Sequence, residues 1–281
     1  MKDKTTKHIH LNSLMSPIKI FKCLSLIILF SCAVSLSAKA QVDTIRLKDK
    51  RLNTSVLKPG LNQYLVYFQD PKKKTTMRFS LWLRDIQLQD RNGEKVFTIT
   101  QHWFGNDSTS YRYIYSINKA SDFAPVYHSE AIGSKTKAYN WGADKIIGAD
   151  SVAQNLQKSF SLDFKLPNFN WNLDIETFEM LPLAEGKTFA INFYDAGLDP
   201  PAYVNYKVTG SEVIQTVGNE KADCWKLMTE GDYKGTHYSE TYWISKKNHE
   251  FLKEEDSFNG MFRYKIKMPA NAPDLMIRFA K

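Results

Sequence analysis

The chain has 281 residues, 43% of them hydrophobic and 24% charged, with 13 glycines, 10 prolines and three cysteines. That composition excludes collagen-like, disordered and disulfide-scaffold classes, and the length is enough to bury a core without covalent staples. The formal net charge of +8 is concentrated at the N-terminus: Lys2, Lys4, Lys7, Lys19, Lys22 and Lys39 oppose Asp3 alone, while everything after residue 40 holds 32 Lys and Arg against 29 Asp and Glu, so a nucleic-acid-binding reading loses its support.

From Leu24 to Leu36 the chain is apolar, with Lys19 and Lys22 before it and Ala38-Lys39-Ala40 after it. This is the layout of a secretory signal peptide over residues 1–40, with cleavage after Ala40. The run falls short of the roughly 20 residues that a membrane-spanning helix needs, so the mature chain is expected to carry no transmembrane segment. Met15 offers a second start. Leu29-Phe30-Ser31-Cys32 is close to a lipobox, and a lipoprotein anchored through Cys32 is the alternative to a periplasmic or secreted soluble form.

Beyond residue 41 the dominant signal is period-two alternation rich in aromatic and β-branched residues. Met77 to Phe104 reads as a hairpin around Asn92-Gly93. Its first arm places Phe79, Leu81 and Leu83 on one face but Ile86 and Leu88 on the other, so a bulge or bend is expected near Arg84-Asp85. An arm of this length spans roughly 46 Å at about 3.3 Å per residue, which suggests a strongly curled sheet. Phe97, Ile99 and Trp103 share a face on the second arm, and Tyr111, Tyr113, Tyr115 and Ile117 continue the theme.

Further strands are expected near 124–132, 135–148, 187–195, 202–217, 222–230, 237–245, 249–256 and 260–268. Helix is confined to a short piece after Asp150, carrying Val152 and Leu156, and to Asp174–Leu181 ahead of Pro182 and Gly186. The fold class is therefore mainly β: a curled antiparallel sheet, half-barrel or open barrel, with short central helices. Residues 41–281 form a single β-rich domain with two candidate β-meander halves, about 60–150 and 187–268, joined by a helical connector at 151–186. Residues 91–99 are echoed in 217–227 and Ile114–Lys119 in Thr241–Lys246, both at an offset of about 127 residues, the pattern expected of a duplicated meander.

Leu181-Pro182-Leu183-Ala184-Glu185-Gly186-Lys187, then alternating strands, Val217-Gly218-Asn219, Tyr242-Trp243-Ile244-Ser245-Lys246-Lys247 and Leu252-Lys253-Glu254-Glu255 together resemble an uncharacterised family of exported Gram-negative proteins grouped as a domain of unknown function. The resemblance covers mainly residues 170–268, with a fainter echo in 75–150. The family is similar in outline to the periplasmic lipoprotein-carrier fold, which implies an open half-barrel over short helices that can hold acyl chains. Val217-Gly218-Asn219-Glu220 departs from the Pro-Ala-Gly-containing turn of that pattern.

Motif chemistry is sparse. There is no G-x-S-x-G elbow, phosphate loop, G-x-G-x-x-G or H-E-x-x-H, so no cofactor is expected. His102, His128, His237 and His249 lack the spacing of a zinc pair. Cys23 and Cys32 fall in the leader, which leaves Cys224 to read as a strand-buried, inert thiol rather than a nucleophile. Asp174, Glu176 and Glu179 are the densest carboxylates near aromatic residues, and a glycosidase needs only two such groups; helix N-terminal charges are the plainer reading.

The aromatics hold the most functional content. So little helix cannot cover both faces of a half-barrel, so some large rings should line a concave groove; the alternative is that they fill a closed interior. Trp82, Trp103, Tyr111, Tyr113 and Trp243 are the candidate ligand-binding residues. The leading expectation is a non-enzymatic binder of a hydrophobic or lipidic small molecule in the cell envelope. A glycan-active enzyme, or a structural partner of other envelope proteins pairing through exposed sheet edges, are the alternatives. A binder calls for an open apolar groove, an enzyme for titratable groups meeting in a cleft, and an assembly partner for long uncovered edges.

Overall fold

The computed structural model describes residues 42–72 and 78–269. The expected signal peptide over residues 1–40, its expected cleavage site after Ala40, and Cys32 lie outside the described residues.

The described chain forms one sheet of sixteen strands: β1 (Val42–Ile45), β2 (Gly60–Gln69), β3 (Arg78–Arg91), β4 (Glu94–Phe104), β5 (Arg112–Lys119), β6 (Pro125–Ile132), β7 (Lys135–Trp141), β8 (Lys145–Gly148), β9 (Ser161–Asp163), β10 (Phe169–Asn170), β11 (Thr188–Tyr194), β12 (Ala202–Gln215), β13 (Lys221–Tyr233), β14 (Thr236–Ser245), β15 (Phe251–Phe258) and β16 (Met261–Lys267). Between β10 and β11 lie a 3-10 turn, Trp171–Leu173, and a six-residue helix α1, Asp174–Glu179.

Two antiparallel meanders, β2–β9 and β11–β16, are welded into a continuous sheet by the pairing of β16 with β2, from Phe262 opposite Gln69 to Lys267 opposite Tyr64. The outer edge of β11 is shared by two parallel partners, β1 along residues 188–191 and β10 along 193–194. The two ends of the path, β1 and β9, do not pair, so the sheet is curled but open. Side chains draw the ends together instead: Trp141 of β7 packs edge-on against Tyr194 of β11 with ring centroids 5.6 Å apart, and its indole N–H donates to Asn168 Oδ1 at 3.1 Å.

The 3.6-residue period brings Ile175 and Phe178 onto the buried side of α1. Phe178 meets Phe193, Tyr206 and Tyr242 at centroid distances of 6.1, 4.7 and 4.7 Å, which places the helix on the concave face of the second meander. Opposite, Arg84 of β3 donates to Glu176 Oε2 at 2.6 Å. The main core lies between, built from alternating residues such as Tyr64, Val66, Ile86, Ile99, Phe189, Ile191, Leu227 and Phe251.

The Asn92-Gly93 turn forms as expected, with φ of 53° and 79°, the left-handed pair that a tight hairpin requires. Three expectations are corrected. The register of β3 with β4 runs unbroken from Leu81–Phe104 to Arg91–Glu94, so there is no bulge at Arg84-Asp85; the alternation breaks because a charged residue, Arg84, takes an inward position between Trp82 and Ile86. Register shifts occur instead at Ile117/Asn118, Val208/Gly210 and Trp243/Ile244. No helix forms after Asp150, because the Asn155 side chain bonds the backbone of Ala138 and Ala149 and holds the segment in turns. The strand expected over 135–148 is a short hairpin, β7 and β8. The echoed segments fall at matching places: the β3–β4 and β12–β13 turns, and β5 and β14, the second strand after each turn-opening strand.

Candidate ligand-binding groove

The ends of β13–β16 and of β2, together with the β11–β12 connection, line an open groove to which no residue of α1 contributes. The resulting groove has a volume of about 1050 Å³. One wall is the β11–β12 connection, with Leu198, Asp199 and Pro200. The other is formed by the β13–β14 and β15–β16 hairpin ends, with Tyr233, Phe258, Met261 and Phe262, and Trp171 and Phe193 lie deeper. Leu198, Phe258, Met261 and Phe262 are exposed, an unusual outlay of large apolar side chains around one opening.

The first wall is fixed by Gly197. Its φ is +86°, and a Cβ there would lie 2.5 Å from the Tyr139 hydroxyl, so only glycine lets the loop approach β7 this closely. The Gly197 N–H donates to the Tyr194 hydroxyl at 3.0 Å. The Tyr233 hydroxyl donates to Asp199 Oδ2 at 3.3 Å, tying one wall to the other.

The floor is polar, and sheet register explains why its charges are adjacent. Glu240, Asp256 and Arg263 stand opposite one another on β14, β15 and β16, and Phe68 of β2 completes the row. One step deeper the row is Tyr242, Glu254, Lys265 and Val66. Arg263 reaches Glu254 Oε1 at 2.5 Å and also donates to Asp256 Oδ2, while Lys265 donates to Glu254 Oε2. The Tyr242 hydroxyl donates to Glu240 Oε2 at 2.6 Å. Asp256 Oδ1 is buried without a hydrogen-bond partner among the described residues.

Burial and then the neighbouring Glu254 push the Asp256 carboxyl well above the carboxylate range. Glu240 moves up for the same leading reason, against the hydrogen bond from Tyr242. Burial likewise raises Asp195, which also lines the groove. Glu254 is buried too, but Lys265 and Arg263 outweigh burial and hold it below the usual range.

The five rings singled out from sequence are not brought together, and none lines this groove. Trp82 and Trp103 stack face to face on the inward side, centroids 3.8 Å apart and planes 3° apart. They touch the floor from beneath, with Lys265 Nζ 4.9 Å and Arg263 Cζ 6.0 Å from the Trp82 ring. Tyr111 and Tyr113 cluster with His102, whose Nδ1 lies 2.7 Å from the Tyr111 hydroxyl, on the face opposite Trp103. Trp243 lies between Lys226 and Lys253 and donates to Glu212 at 3.1 Å.

The carboxylates considered for glycan chemistry are also elsewhere: Glu176 is bonded to Arg84, and Glu179 accepts from the Phe251 N–H at 2.8 Å. Burial pushes the Cys224 thiol up to about 12. Among the described residues no three His, Cys, Asp or Glu are grouped to hold a metal ion, and no helix is long and apolar enough to cross a membrane.

Sequence reasoning missed the groove residues because the apolar ones sit at strand ends and in loops. One signal was present: the inward-parity charges Glu240, Glu254, Asp256, Arg263 and Lys265 interrupt otherwise apolar strand faces.

No curated protein matches the chain. Among solved structures it is similar to a beta-barrel-like protein of the domain of unknown function DUF1849 from Brucella abortus, at 11% identity and a TM-score of 0.50 over 75% of this chain and 96% of that one. It is also similar to the Mycobacterium tuberculosis lipoprotein LppX, at 10% identity, a TM-score of 0.27 and coverage of 81% and 94%. A DUF1329 family protein from Desulfovibrio piger matches at 9% identity, a TM-score of 0.27 and coverage of 82% and 94%. The Brucella match supports a barrel-like fold and nothing about activity. A family model described as "Protein of unknown function (DUF3108)" matches residues 63–267, from β2 to the end of β16, and the chain belongs to that family.

Proposed function

We propose that this chain is an exported, periplasmic or secreted envelope protein of a Gram-negative bacterium that holds a hydrophobic or lipidic small molecule, without catalysis, in the groove at the open end of its curled sheet. The observation that carries this reading is the groove itself: about 1050 Å³, bordered by exposed Leu198, Phe258, Met261 and Phe262. That is the upper end of the range for small-molecule sites, and apolar walls around a few placed polar groups are what such sites need. The layout of residues 1–40 supports export, with the lipoprotein form through Cys32 as its alternative. Of the sequence-derived rings, Trp82 and Trp103 support the groove floor from below, while Tyr111, Tyr113 and Trp243 belong to the opposite face of the sheet, where Lys226 and Lys253 cover Trp243.

A second reading rests on one observation. Glu240 and Asp256 are neighbouring carboxyl groups facing a cleft with Trp171 at its side, and a glycan-active enzyme needs such a pair. Against it, the floor carboxylates are engaged by Arg263, Lys265 and Tyr242. An assembly role by strand addition is the weakest, since the path ends in β1 and β9 of four and three residues, little template for a partner strand.

The test is binding of a neutral apolar dye, Nile red, to the mature protein. Saturable binding that Leu198→Asp and Met261→Asp each abolish, with unchanged melting curves, is the expected result. Undiminished binding in both variants, or hydrolysis of a glycan panel that Glu240→Gln removes, would overturn the reading.

A further inference from the structure

Resting on the groove reading, we infer that the ligand is an amphiphile with a cationic head, of the protonated-amine class, received by the carboxyl groups of Glu240 and Asp256 while its apolar chain lies along the walls.

The argument is a balance of charges. Asp195, Asp199, Glu240 and Asp256 line the groove against Lys234 and Arg263. The floor bases are already paired: the Arg263 guanidinium is divided between Asp256 and Glu254, and Lys265 beneath is held by Glu254, while Lys234 is an exposed residue of the β13–β14 turn, 4.9 Å from the Tyr233 ring centroid. Acceptors outnumber the donors that reach them: Asp256 is only 9% exposed, yet no donor reaches its Oδ1 and its carboxyl stands against that of Glu254, while Glu240 receives a single neutral hydroxyl.

A buried acceptor without a partner is costly, more so when charged. An ammonium group offers three donors and the missing positive charge, and charge-assisted bonds are the stronger kind. A carboxylate or phosphate head would add to the excess of carboxyl groups over bases. The raised proton affinity of Asp256 and Glu240 fits this picture, since a proton is the smallest cation that relieves the excess.

The experiment displaces Nile red from the mature protein with three C12 probes, dodecylammonium, dodecanol and dodecanoate, below their micelle concentrations. The expected order places dodecylammonium about tenfold tighter than dodecanol, with dodecanoate weakest. In Glu240→Gln/Asp256→Asn that preference should fall to within about twofold, with dodecanol affinity retained. Should this variant not fold, Glu240→Gln alone, which keeps an acceptor for Tyr242, should lower the preference by about half on a logarithmic scale. Equal displacement by all three probes, or tightest binding of dodecanoate, would overturn the head-group inference and leave the groove intact. Absence of Nile red binding would instead remove the groove reading itself.

Discussion

Arg84 and Glu176, 92 residues apart in sequence, form a buried pair at 2.6 Å that pins the helix to the first meander, with side chains 3% and 1% exposed. Asp174 stands behind the same guanidinium at 3.7 Å. Removing one partner of such a pair strands a buried charge, which costs about 3–5 kcal/mol, whereas replacing both by apolar groups is near neutral. Arg84→Met should therefore lower the unfolding free energy by that amount, and Arg84→Met/Glu176→Met should recover most of it. Urea denaturation of the two variants checks this; equal losses in both would contradict it.

The groove wall depends on Gly197. Alanine there combines a strained φ of +86° with a Cβ 2.5 Å from the Tyr139 hydroxyl. Such positions cost about 1–3 kcal/mol, so Gly197→Ala should lower the melting temperature by several degrees. Because the loop carries Leu198 and Asp199, dye affinity should fall as well. Gly133→Ala, where a Cβ meets nothing within 4 Å although φ is also positive, separates the two effects: it should lose stability without losing affinity.

His128 gives a pH signature. It is 3% exposed, and burial holds its pKa down to about 4. Asn170 Nδ2 donates to its Nδ1 at 3.1 Å, and the Ser116 hydroxyl lies 3.0 Å from the same atom, so the neutral ring carries its proton on Nε2. A group whose folded pKa lies below its unfolded value of about 6.5 contributes fully above that value and loses its contribution as pH falls toward 4. Wild-type stability should therefore drop relative to His128→Gln by about 3 kcal/mol between pH 7.5 and pH 4. Denaturant midpoints at five pH values measure this, and parallel curves would refute it.

The residues show why the fold was legible in the sequence and the site was not. Period-two patterning with Asn92-Gly93 turns directly into β3 and β4, because each inward residue has only the neighbouring strand and the core to pack against. The pairing of β16 with β2 has no local signal; it depends on curvature accumulated over six strands. Arg84 looked like a break in register because a lone strand cannot show that Glu176 will meet it. Trp243 looked like a groove ring, yet Lys226 and Lys253 cover it. The groove is made where hairpin ends 198–200, 233–238 and 258–262 converge, and only the curl of the sheet brings them together.

The central claim is that the groove holds a lipid-like molecule. Native mass spectrometry of the mature protein, purified from the envelope of its own host and followed by denaturation and organic extraction, tests it most directly. The account predicts a bound mass that is released on denaturation, partitions into the organic phase, carries an amine and is missing from Leu198→Asp. A bare polypeptide mass from lipid-rich preparations, in wild type and variant alike, would contradict it.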